Sequence, residues 1–106
     1  MVQQPIEMGQ LLNKNSKYSF TVWVYSEDHN PPHLHFIDKI TNKLVLKLEI
    51  TDYIPTNVDE LKPMKSYSLT NTLAKEIIEW ANDKNSFGLH YWYAGILLWN
   101  QLHPED

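Results

Sequence analysis

The chain contains no cysteine and no arginine. Without cysteine there is no disulfide framework, no thiolate metal site and no cysteine nucleophile. Without arginine, nine lysines face thirteen acidic residues, for a formal charge of -4. Tight, sequence-independent binding to DNA or RNA depends on lysine and arginine neutralising phosphates, so a dedicated nucleic-acid-binding module is not expected. Nucleic acid stays in view only as a substrate. Glycine is scarce too: Gly9, Gly88 and Gly95 are far apart and cannot form a glycine-rich phosphate loop. No apolar run approaches the roughly 20 residues of a membrane span. The segment Met1-Val2-Gln3-Gln4-Pro5 has neither the basic nor the apolar region of a signal peptide. The expectation is a soluble, cytoplasmic protein with no membrane partner.

At 106 residues the chain is expected to form a single domain, 1–106. Trp23, Trp80, Trp92 and Trp99 supply much of its core volume. Residues 1–16 form a poorly defined extension. Ile6, Leu11 and Leu12 fit a short helix, but Gly9 and Asn13-Lys14-Asn15-Ser16 break it. From Lys17 to Ser26 aromatic and β-branched residues alternate as in a strand. A stiff turn through Pro31 and Pro32 follows, then a strand from about His33 to Ile37. In a third strand, Leu44 to Thr51, Leu44, Leu46, Leu48 and Ile50 share one face. These elements make a three-stranded meander over 17–51. Residues 52–68 read as a long loop with a short strand or turn in it. Thr70 is a plausible N-cap for a helix carrying Leu73, Ile77, Trp80 and Ala81. A second helix aligns Leu89, Trp92, Ile96 and Trp99. The helical part spans 70–103, and the architecture is α+β, with a small antiparallel sheet and two C-terminal helices on one face.

Three of the five histidines fall within Asp28-His29-Asn30-Pro31-Pro32-His33-Leu34-His35. Side chains at i and i+2 of a strand share a face, so His33 and His35 project together at a spacing that suits two ligands of one metal ion. His29 can fold back over them across the proline pair, and Asp28 or Glu27 can add a carboxylate. Three imidazoles with an open position suit a catalytic zinc or another divalent metal. Without metal, a neutral and a protonated histidine can act as base and acid on an RNA phosphodiester. The structural alternative is a turn with histidines on the solvent face of the sheet.

Register separates some of these readings. If Leu34 and Phe36 join the leucines, Phe36 lies opposite Leu46 and Leu34 opposite Leu48. His35 is then opposite Lys47 and His33 opposite Glu49, with both histidines away from the core. Glu49 becomes a candidate to orient His33 or to ligate beside it. The candidate catalytic set is His29, His33, His35 and Glu49; the candidate metal ligands are His29, His33, His35 and Asp28.

The string His29-Asn30-Pro31-Pro32-His33-Leu34-His35-Phe36 resembles the hallmark of the domain of unknown function 4160 family, small and mostly bacterial proteins. Tyr25, Glu27 and Asp28 before the string and Glu79-Trp80 in the helix extend the likeness, from about residue 18 to the end. The turn Lys39-Ile40-Thr41-Asn42-Lys43 is longer than in that family and lacks its glycine, and the last helix is more aromatic. The resemblance implies a shared constellation of His29, His33 and His35, and membership of a toxin–antitoxin-like pair with a small partner protein.

Two function classes follow. One is a histidine-cluster protein, which as an enzyme would be a metal- or histidine-dependent hydrolase or ribonuclease-like activity. The other is a non-enzymatic interaction module or homodimer. Its working surface would be the last helix, where Tyr91, Trp92, Tyr93, Ile96, Leu97, Leu98 and Trp99 cover more than one stripe. Lys75, Glu76 and Glu79 read as a solvated helix face, and His103 as part of a frayed end.

Overall fold

The structure is a computed structural model that describes residues 9–12 and 17–104, with side chains from residue 12 onward. Four antiparallel strands lie in chain order. The expected meander is present as β2 (Phe20–Tyr25), β3 (His33–Asp38) and β4 (Leu44–Glu49). An additional strand, β1 (Gly9–Leu11), pairs with the open edge of β2, setting Gly9 opposite Tyr25 and Leu11 opposite Trp23. The segment whose helical pattern Gly9 interrupts is thus a strand over Gly9–Leu11. An unpaired strand edge offers amides and carbonyls to any extended segment beside it, and this segment uses them. Ile6 lies outside the described residues.

The register is the one the leucine pattern demands. Phe36 faces Leu46, Leu34 faces Leu48, His35 faces Lys47 and His33 faces Glu49. One feature departs from strict alternation. A bulge between Phe36 and Ile37 sets Ile37 opposite Leu44, so Val45 is the extra residue. A bulge shifts every residue beyond it to the other face. Leu44, expected among the core leucines, is instead exposed.

Two helices cover one face of the sheet, α1 (Asn71–Asn82) and α2 (Tyr91–Leu102). Thr70 caps α1, its hydroxyl accepting from the Leu73 amide at 3.2 Å. The core is one cluster in which Phe20, Val22, Leu34, Phe36, Leu46 and Leu48 meet Ile77, Trp80, Ala81 and Trp92. Trp80 is its centre, edge-on to Phe20, Phe36 and Trp92 and stacked on Tyr91 at 5.8 Å. In the 52–68 connection, a 3-10 turn spans Val58–Glu60 and Pro63 bridges to Leu48. Among the described residues no helix is long and apolar enough to cross a membrane.

Polar ties join the sheet to α1. Glu76 accepts from the Ser19 amide and from its hydroxyl at 2.7 Å. Tyr18 donates to Asp83 at 2.6 Å. Burial and this carboxylate push the Tyr18 phenol well above its ordinary pKa, and the Tyr18 hydrogen bond helps hold Asp83 below its own. Glu76 is thus an anchor rather than part of a solvated face. Glu79 fits that reading better, since it is exposed and its ion pair among the described residues is with Lys17, at 3.4 Å.

Candidate metal centre

Strand parity puts His33 and His35 on the face opposite Leu34 and Phe36, and both rings are nonetheless buried, at 4% and 8% exposure. The solvent-face expectation is corrected by three groups that close over them. Tyr25, on neighbouring β2, meets the His35 ring edge-on at 4.6 Å. The turn after β2 closes with the Asp28 amide donating to the Tyr25 carbonyl and brings the Asp28 side chain over the pair. Trp99 packs on His33 with ring centroids 5.4 Å apart.

The Trp99 contact lies one turn beyond Gly95 on α2. A Cβ at Gly95 would lie 3.2 Å from a Leu34 methyl, so α2 packs closely on β3 here and a larger residue would press on Leu34. One turn on, Trp99 reaches the start of the strand. Another turn on, His103 stacks on Trp99 at 3.8 Å. Its Nδ1 donates to the Trp99 carbonyl. His103 is therefore buried, not frayed.

Asp28 Oδ2 lies 2.7 Å from His35 Nε2 and 3.1 Å from His33 Nε2. The His35 contact is an aligned hydrogen bond. The His33 contact is close but off the ring's N–H axis, so the buried Nε2 has no hydrogen-bond partner among the described residues. On the other side of that ring, Nδ1 lies 2.9 Å from the Pro31 carbonyl. A carbonyl only accepts, so Nδ1 carries a proton and Nε2 is left to bind a second proton or a metal.

Charge is balanced around the carboxylate. Burial works to raise the Asp28 pKa, but the two imidazoles outweigh it and hold the carboxyl well below the usual range. Burial likewise works to lower the His33 pKa, and Asp28 with the Pro31 carbonyl more than reverses this, leaving it raised.

Asp28, His33 and His35 each present one ligand atom, all within 4.8 Å of one another. Zinc bonds of about 2.0–2.1 Å set neighbouring ligand atoms about 2.9–3.4 Å apart and about 35–45° off each other's lone-pair axes. The off-axis placement of Asp28 relative to His33 fits that geometry. The His35 contact would open by a few tenths of an ångström as metal replaced its proton. A backbone carbonyl on the far nitrogen of a ligating histidine is the usual orienting contact.

The structure does not bring the other two candidates to this group. His29 is exposed and lies outside the converging group. Glu49 pairs with His33 through the backbone, but no hydrogen bond or ion pair joins its carboxylate to either imidazole among the described residues. Two residues absent from the sequence-based set belong to the surroundings. Lys47 opposite His35 is already implied by the register. Trp99 has no local signal.

A cleft of about 310 Å³ opens onto the group, lined by Tyr25, Glu27, Asp28, His35, Ile37, Leu44 and Lys47. Leu44 reaches it because of the bulge. Of α2, Tyr91, Trp92 and Trp99 go to the core, and Leu97 remains 58% exposed. No family model, curated protein or solved structure matches the chain.

Proposed function

We propose that the protein binds one divalent metal ion of the zinc class through Asp28 Oδ2, His33 Nε2 and His35 Nε2, and that the adjoining cleft uses it for hydrolysis. The observation that carries this reading is the buried His33 Nε2. Among the described residues it has no aligned hydrogen bond, only the off-axis Asp28 oxygen at 3.1 Å; its ring is fixed by Pro31, and it converges with a second imidazole on that carboxylate oxygen. Burying such a group unsatisfied costs about 1–3 kcal/mol, and a metal ligand bond removes that cost. Two nitrogens and one oxygen suit zinc and its first-row neighbours. A metal with three protein ligands supplies an activated water near neutral pH. His33 and Asp28 hold the ion in this reading, while the His35 side opens to the cleft.

Metal-free acid–base chemistry is the second reading, favoured by the aligned Asp28–His35 bond. Elemental analysis of protein made without a histidine tag separates the two. About one equivalent of metal, lost in an Asp28→Asn variant and in a His33→Ala, His35→Ala double variant, supports the metal site. No metal, with hydrolysis that survives chelator, supports the second reading. Pairing with a small partner protein is supported only by the likeness of the histidine–proline string. It predicts a complex with a co-expressed neighbouring protein in sedimentation, and a clean monomer beside that protein counts against it.

A further inference from the structure

The cleft holds a cation with no assigned work. Lys47 lies directly opposite His35 and its side chain lines the cleft. It is partly buried, and no carboxylate pairs with its amine among the described residues. A half-buried ammonium beside a metal centre needs an anion for balance. Asp28 is committed to the two histidines. Glu27 also lines the cleft, but it is exposed and makes no ion pair with Lys47.

Resting on the metal reading above, we propose that the cleft binds the terminal phosphoryl group of a small molecule, with Lys47 as its cationic contact and the metal as the other. Charge and size select this ligand. Asp28 is taken up by the two histidines, so Lys47 and a bound divalent ion would together present positive charge to the cleft, which suits an anion. A phosphate polymer needs a track of cations. This cleft has one lysine, and the chain carries a net charge of -4. Its volume, about 310 Å³, lies at the small end of ligand pockets, roughly 300–1,000 Å³. Ile37 and Leu44 form an apolar wall beside the charged end, suited to the uncharged body of such a molecule.

Cobalt(II) is the probe, because its visible bands report both its own binding and any ligand joining it. The protein is loaded with cobalt and titrated with inorganic phosphate and, separately, with a single-stranded oligonucleotide lacking a terminal phosphate. The expected result is a band shift that saturates with phosphate and not with the oligonucleotide. Lys47→Met should bind cobalt within about 2-fold of wild type while its phosphate affinity falls about 10-fold or more, the scale of one lost charge-assisted contact. Cobalt binding without a phosphate response, or an undiminished response in Lys47→Met, overturns this proposal and leaves the metal reading intact. Failure of cobalt to bind at all overturns the metal reading and this one with it. A saturating response to the oligonucleotide overturns the choice of a small ligand.

Discussion

Asp28 Oδ2 lies 2.7 Å from Nε2 of His35, so a turn residue reaches a strand residue seven positions on and across the fold of the β2–β3 connection. The same oxygen stands 3.1 Å from His33. Asp28 is therefore the hub of the site, and its replacement tests more than any other. Asp28→Asn should abolish metal binding and, with chelator present, destabilise the protein by about 1–3 kcal/mol, because it leaves two buried imidazoles without their counter-charge. Urea unfolding and a zinc titration of the same variant check both halves.

Stability should depend on pH in a defined way when metal is absent. The Asp28 pKa is depressed and the His33 pKa is raised. The carboxylate's contribution is present above its unfolded value of about 3.9 and is lost as pH falls through the depressed one; the imidazolium's is present below its unfolded value of about 6.5 and is lost as pH rises through the raised one. Between about pH 4 and 6.5 both contribute. Raising the pH from about 6 to 9 should lower the stability of wild type, and Asp28→Asn should flatten that slope. Urea midpoints with chelator at the two pH values measure it.

Metal reverses this dependence. It competes with the proton on His33, so affinity should rise with pH through the His33 titration and binding should release protons. At zinc 100-fold above its Kd, stability should increase by about 2.7 kcal/mol, and chelator should remove the gain. Thermal unfolding with zinc, with chelator, and with zinc restored gives the comparison.

Trp99 and Leu97 sit on one helix and should behave differently. Trp99 is buried against His33 and His103. Trp99→Ala should cost about 3–5 kcal/mol and, by removing the backing of a ligand, weaken metal binding about 10-fold. Leu97→Ala should stay within about 0.5 kcal/mol of wild type and leave metal binding unchanged. A large effect of Leu97→Ala on self-association in sedimentation would instead give weight to a partner surface on α2.

Glu76 and Glu79 make a second contrast. Glu76 holds both the amide and hydroxyl of Ser19, and Glu76→Ala should cost about 1 kcal/mol. Glu79 makes an exposed contact with Lys17, and Glu79→Ala should leave the urea midpoint unchanged.

Much of the meander was legible because a two-residue period and a run of leucines leave one register that buries Leu34 and Phe36 with Leu46 and Leu48. That register also brought His33 and His35 to one face. Asp28 was legible as a candidate carboxylate beside the histidines because it stands in the turn just before their strand. His29, expected to fold back over the pair, is instead exposed and outside the Asp28, His33 and His35 group. Leu44 was misassigned because a bulge carries no pattern of its own here. The anchoring of Ser19 by Glu76, and the burial of the histidines by Trp99, join residues more than fifty positions apart. Local periodicity holds no information about such contacts; they depend on how the two helices dock on the sheet.

The central claim is a metal ion shared by Asp28, His33 and His35. Crystals of tag-free protein grown with zinc, measured at the zinc edge, test it directly. The account predicts one anomalous peak at about 2.0–2.2 Å from His33 Nε2, His35 Nε2 and Asp28 Oδ2. No peak there, or zinc held only by surface groups such as His29 or His90, would contradict it.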